Sequence, residues 1–157
     1  MAILKHISVK NRFYSSAVEY LTCQFDEYTN KPVLDEKGRI QERENYLIAG
    51  VNCDADSFGA ECIEVNRLYG KNNSVKDVKA HHYIISFEPN DPVTMEQALE
   101  FGKQWLSLFA PGHQAVVAVH PDGHNGSQNM HIHMVINSVR KYAGKQSRWH
   151  DKPCECA

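Results

Sequence analysis

Residues 114–139 read QAVVAVHPDGHNGSQNMHIHMVINSV, and the way this stretch divides decides the fold. QAVVAVH (114–120) is an almost unbroken apolar run, as expected of a central strand covered on both faces. Residues 121–129 are rich in Gly, Asn and Ser and predict a loop. MHIHMVINSV (130–139) alternates with period two, which is strand periodicity. Met130, Ile132, Met134 and Ile136 make an apolar, core-facing stripe; His131, His133, Val135 and Asn137 share the other face. If the two strands form a hairpin, His120 comes back alongside His131 as a third imidazole. His124, in the loop, is the alternative third partner. Two imidazoles on one strand face with a third beside them are a ready metal site. A merely solvated sheet face would account for a lone His-x-His, but not for the third histidine and the apolar back face.

Outward from this hairpin, AILKHISV reads as an edge strand, and Ser15-Ser16 offer an N-cap for a short helix, AVEYLT. Residues 26–45 carry six acids and four bases, with Pro32 and Gly38 as punctuation, and predict a solvated excursion with one hairpin near Glu36-Lys37-Gly38. YLIAGV (46–51) is a short strand. Ser57 is the expected cap of FGAECIEVNRLYG, whose Phe58, Cys62, Val65 and Tyr69 fall near one face and which ends at Gly70. HHYIISF (81–87) is rich in β-branched and aromatic residues and predicts a strand on which His82 and Ser86 share a face. Thr94 and Gln97 fit a capping box opening MEQALEFGKQWLSLFA, closed by Pro111-Gly112, with Leu99, Trp105, Leu106 and Phe109 as its buried stripe. The order β-α-loop-β-α-β-α-β-β predicts an α+β fold, an antiparallel sheet sandwiched by helices. Residues 1–157 read as one domain, ending abruptly as an N-terminal fragment of a longer protein would.

Composition narrows the class. The 157 residues are 42% apolar, enough for one core. No run approaches a membrane span. The five cysteines are odd in number and scattered, which argues against a secreted disulfide scaffold and for a reducing, cytoplasmic setting. Nine histidines stand out, four of them within residues 120–133. A net charge of −2 argues against a nucleic-acid protein at first sight. The acids, however, are concentrated in 26–45, while Lys5, Lys10 and Arg12 precede the first helix without any acid. Arg140, Lys141, Lys145, Arg148 and Lys152 follow the histidine strand against Asp151 alone. Together they suit a groove for single-stranded DNA, with Trp149 available to stack on a base. His82 and Ser86 could line the same site.

VAVHPDGHNGSQNMHIHMVINSVRK, with HHYIISFEP upstream and Asn137-Ser138 downstream, resembles the third motif of relaxases. These are mobilisation nucleases of conjugative plasmids and transposons, within the His-hydrophobe-His endonuclease class. EYLTCQFDEYT and the PGHQ turn are similar to relaxase segments from integrative elements of Firmicutes. The resemblance implies a bacterial, site- and strand-specific nickase acting at an origin of transfer. A tyrosine attacks the scissile phosphate, leaving a 5′-phosphotyrosine link and a free 3′ hydroxyl. It also implies a divalent metal, with Mg or Mn the family's usual ions; three imidazoles alone would also suit Zn or Ni. Asn137 would sit behind a ligand or a substrate oxygen. The implied substrate is a single-stranded nic region beside a hairpin. A relaxosome accessory protein and a type IV secretion coupling protein would be partners.

Of seven tyrosines, Tyr20 matches the relaxase position on a short N-terminal helix; Tyr28 is the runner-up and Tyr14 third. Tyr142-Ala-Gly-Lys145 has the spelling of a replication-initiator motif, but Gly144 disfavours the helix such a motif needs. Two other classes stay open at this point. One is a His-metal phosphodiesterase without a covalent intermediate, for which Asp122 is the nearby carboxylate. The other is a non-catalytic DNA-binding module.

Overall fold

The computed structural model describes residues 2–10, 14–26, 28–29, 31–122 and 129–142. Arg12, His124, Lys145 and Arg148 therefore lie outside the described residues, as do Trp149 and Lys152. Eight elements follow the expected order: β1 Ile3–Val9, α1 Tyr14–Thr22, β2 Leu47–Val51, α2 Phe58–Leu68, β3 Ala80–Ser86, α3 Met95–Phe109, β4 His113–His120 and β5 His131–Arg140. The strands form one antiparallel sheet in the order β1-β3-β5-β4-β2. The two apolar strands of the hairpin, β4 and β5, stand near its middle, as burial on both faces requires.

One face packs on α3. Ile132, Met134 and Ile136 are fully buried there with Val117 and Val119; each such side chain contributes on the order of 1.5–3 kcal/mol. Thr94 caps α3 as the sequence predicts: its hydroxyl accepts from the Gln97 amide, and the Gln97 side chain accepts from the Thr94 amide. Gly102 lets the helix lie close, because a Cβ there would stand 2.8 Å from Val117 Cγ1 and 3.1 Å from Ile132 Cγ2. The other face packs on α1 and α2 through Tyr14, Leu21, Phe58 and Cys62 against Val116, Ala118 and Val135.

Two expected caps fail. α1 begins at Tyr14, so Ser15 and Ser16 lie inside it rather than before it. Ser57 makes no side-chain cap to α2; its hydroxyl donates instead to Glu61 Oε1 at 2.6 Å. Its backbone, at φ −108° and ψ 9°, lies outside the extended region from which an N-cap side chain reaches the first free N–H groups. The excursion after α1 does contain the expected hairpin. The Asp35 amide donates to the Arg39 carbonyl, Gly38 takes φ 76°, and isolated bridges join Leu34 to Ile40 and Cys23 to Glu42.

Candidate metal centre

Antiparallel register puts His120 opposite His131, and strand alternation puts His133 on the same face. One ring nitrogen of each of His120, His131 and His133 lies within 4.8 Å of the others. All three rings are buried. This trio is the group of three or more potential metal ligands among the described residues.

The outer nitrogens explain why these rings suit a cation. His120 Nε2–H donates to the Leu21 carbonyl at 2.7 Å, which leaves its lone pair on Nδ1. That Nδ1 is buried without a hydrogen-bond partner, an arrangement that costs stability unless something is bound. His131 Nδ1–H donates to the Asn129 carbonyl at 3.0 Å, setting the lone pair on Nε2. His133 Nδ1 is 2.9 Å from His82 Nε2, so the inward nitrogen of His133 is again Nε2. Tying the remote nitrogen of each ligand to a carbonyl or a second imidazole is how metal-binding histidines are oriented. Burial disfavours the charged form of two of the three rings and of the histidine behind them: it brings His120 down to about 3 and His82 to about 4, and holds His133 well below its ordinary value. A neutral imidazole is the form that ligates. The donor set therefore fits a divalent metal.

Helix α1 reaches this centre with its C-terminal end. The last carbonyls of a helix lack intrahelical partners, and here the Leu21 carbonyl is taken by His120. The Thr22 carbonyl accepts from the Arg43 amide at 2.9 Å. One residue before Leu21, the Tyr20 ring stands edge-on to His133 and His82, with centroids 5.9 and 6.2 Å apart, and rests on Phe25 at 5.2 Å. The other tyrosines differ. Tyr28 is 93% exposed. Tyr14 is 3% exposed, and burial pushes its hydroxyl up to about 12.

Several other expected residues are not brought to the histidines. Asn137 shares their face but lies four positions from His133, roughly 13 Å along the strand. Its Oδ1 accepts from the Tyr14 hydroxyl at 3.0 Å, and its Nδ2 donates to Asn66 Oδ1 at 3.2 Å and Gln114 Oε1 at 3.3 Å. It thus belongs to a separate buried cluster and touches no ligand. Arg140 and Lys141 close the far end of β5. Arg140 is 8% exposed, and Lys141 Nζ donates to the Asn52 carbonyl at 3.1 Å and pairs with Glu61 at 3.9 Å. His82, expected at a DNA surface, is 8% exposed and stands behind His133. Ser86 does line the rim, opposite His131. Lys5, exposed on the edge strand, is near enough for its charge to be felt at His82. Lys10 is exposed beyond the end of β1.

Arg43 is the residue that sequence reasoning passed over, as one base in an acidic excursion. Its side chain is only 20% exposed and its Nη1 is 4.0 Å from Asp122 Oδ1. Asp122, the carboxylate a simple hydrolase would require, is 70% exposed and faces that arginine.

Residues 28–153 match the family described as relaxase, MobA/VirD2-like, nuclease domain. The match contains His82 and the three histidines; Tyr20 lies before it. Protein rlx of Staphylococcus aureus is 37% identical over 98 residues, covering 62% of this chain and 29% of that protein. The group II intron-interrupted relaxase LtrB of Lactococcus lactis is 40% identical over 99 residues, 62% of this chain and 15% of its own length. Protein TraI of Escherichia coli is 28% identical over 142 residues, 87% of this chain and 17% of its own length. The chain thus spans less than a third of each of these relatives.

Proposed function

The chain belongs to the MobA/VirD2-like relaxase nuclease family, and on that premise we propose that it nicks one DNA strand at an origin of transfer with Tyr20 as the nucleophile. The Tyr20 oxygen forms a bond to phosphorus while the bond from phosphorus to the 3′ oxygen breaks. The phenolic proton leaves to solvent and the departing 3′ oxygen takes one up, so a 5′-phosphotyrosine ester and a 3′ hydroxyl result. The ester keeps the energy of the phosphodiester, so the same step in reverse rejoins the strand.

His120, His131 and His133 would hold the divalent metal, Mg or Mn by family habit. When bound, it would draw charge from a non-bridging oxygen and orient the phosphate. His82 steadies His133 from behind. Lys5 and Ser86 lie along the approach for the single strand, and Lys10, past the Val9–Ala80 pair at the Asn137 end of the sheet, would meet it only farther along. An accessory protein and a secretion coupling protein would act with the rest of a longer relaxase.

The observation that carries this reading is the Tyr20 ring beside His133, at 5.9 Å, on the same turn whose Leu21 carbonyl anchors His120. A hydroxyl held near a metal-bound phosphate gains from proximity and alignment. The test uses labelled single-stranded oligonucleotides tiling the DNA beside the encoding gene, incubated with the protein and Mn²⁺. The wild type is expected to give a covalent adduct stable to denaturation. Tyr20→Phe should give none while binding the oligonucleotide within about threefold. Cleavage by Tyr20→Phe at the wild-type rate would instead mark a metal-dependent phosphodiesterase, and no cleavage by either form a binding module.

A further inference from the structure

Arg43 is far in sequence from the histidines, yet two consecutive carbonyls at the end of α1 bind the two together. Leu21 holds the His120 ring and Thr22 holds the Arg43 backbone. The bridge between Cys23 and Glu42 fixes the strand just before it. From there the side chain runs inward, with Nε buried and without a hydrogen-bond partner, and Nη1 4.0 Å from Asp122, two residues past His120. A guanidinium held beside the imidazoles through Leu21, Thr22 and Asp122 is of no use to a metal, which it repels. It is of use to an anion that bridges the two.

We propose that Arg43 is the phosphate clamp of this centre: its guanidinium takes a non-bridging oxygen of the scissile phosphate opposite the metal and releases Asp122 to do so. A planar fork of donors matches phosphate geometry. Charge accumulating on the phosphoryl oxygens in the transition state is then shared between the arginine and the metal. The same guanidinium serves the rejoining step, because the oxygens it holds are not the ones exchanged. The assignment rests on the relaxase reading of the site, but the anion-binding half of it can be measured without any cleavage.

The probe is inorganic phosphate, followed by the ³¹P relaxation induced by the Mn²⁺-loaded protein, with Mn²⁺ affinity measured separately by calorimetry. Arg43→Ala should weaken phosphate binding about tenfold or more, and Arg43→Lys less, because an ammonium keeps the charge but loses the fork. Mn²⁺ affinity should stay the same or rise, since a repelling charge has gone. Asp122→Asn should tighten phosphate about threefold by removing the competing carboxylate. A destabilised fold cannot produce that opposite sign. On an oligonucleotide the wild type cleaves, Arg43→Ala should lower kcat about 10²- to 10³-fold. Phosphate affinity unchanged in Arg43→Ala, or lost in step with Mn²⁺ affinity, would overturn the clamp. Loss of phosphate binding in a protein whose wild type forms no adduct would leave the clamp standing and remove the tyrosine step alone.

Discussion

The face of the sheet under α1 carries two buried polar clusters, one at each end of the helix, and they are built on opposite rules. At the N-terminal end, the Tyr14 hydroxyl accepts from Asn66 at 2.6 Å and lies 3.0 Å from Asn137, whose amide is engaged at both ends. Tyr14, Asn66 and Asn137 bond one another at its centre, and Gln114 Nε2 at its edge is left without a hydrogen-bond partner. At the C-terminal end, three imidazoles spend their outer nitrogens on a carbonyl, a carbonyl and a fourth imidazole, and converge with their inner ones. His120 Nδ1 is left with no hydrogen-bond partner. A polar network whose central groups bond one another specifies packing, whereas one that leaves lone pairs converging asks for a ligand.

Removing a ligand should break this contrast most severely. His133→Ala is expected to weaken Mn²⁺ binding roughly 100-fold or more while the protein still unfolds cooperatively; calorimetric titration and a melting curve decide it. If metal affinity survives, the convergence of the three rings is incidental. His82→Phe sharpens the point, because it spares every ligand and removes only the partner of His133. A loss of about 10- to 100-fold in Mn²⁺ affinity is expected, with the tyrosine's environment little changed. Equal affinity would show that the 2.9 Å contact does not set the ring. Asn137→Ala acts on the other cluster and strands the Tyr14 and Asn66 groups. Stability should fall by about 1–2 kcal/mol in denaturant unfolding with Mn²⁺ affinity unchanged within twofold. A metal defect in that variant would join the two clusters into one functional unit.

What the sequence carried well was anything set by local period or by register. The alternation of 130–139 and the apolar run of 114–120 gave both strands. Their pairing then put His120, eleven residues from His131, directly opposite it. Thr94 and Gln97 gave a helix start because both halves of the box are in one turn. Position along a face is harder. Parity places Asn137 on the histidine side, but only strand geometry shows that four residues amount to roughly 13 Å. The basic pair Arg140-Lys141 lies farther still, seven and eight residues or roughly 25 Å past His133. Ser57 was readable as a cap, but its backbone angles are not those of one. Arg43 was the least readable, because nothing local distinguishes it from Lys37 or Arg39. Its role in the architecture comes from a bridge closing twenty residues of chain back onto Thr22, and such closure leaves no mark in composition.

The bond from His120 to the Leu21 carbonyl also has a bearing on safety. Whatever loosens the first helix takes away the hydrogen bond that fixes the tautomer of His120, and it carries Tyr20 off in the same movement. With the roles proposed above, nucleophile and metal ligand would be disabled together rather than in turn. On that reading a half-opened molecule would be an inert one rather than a stray cutter of DNA.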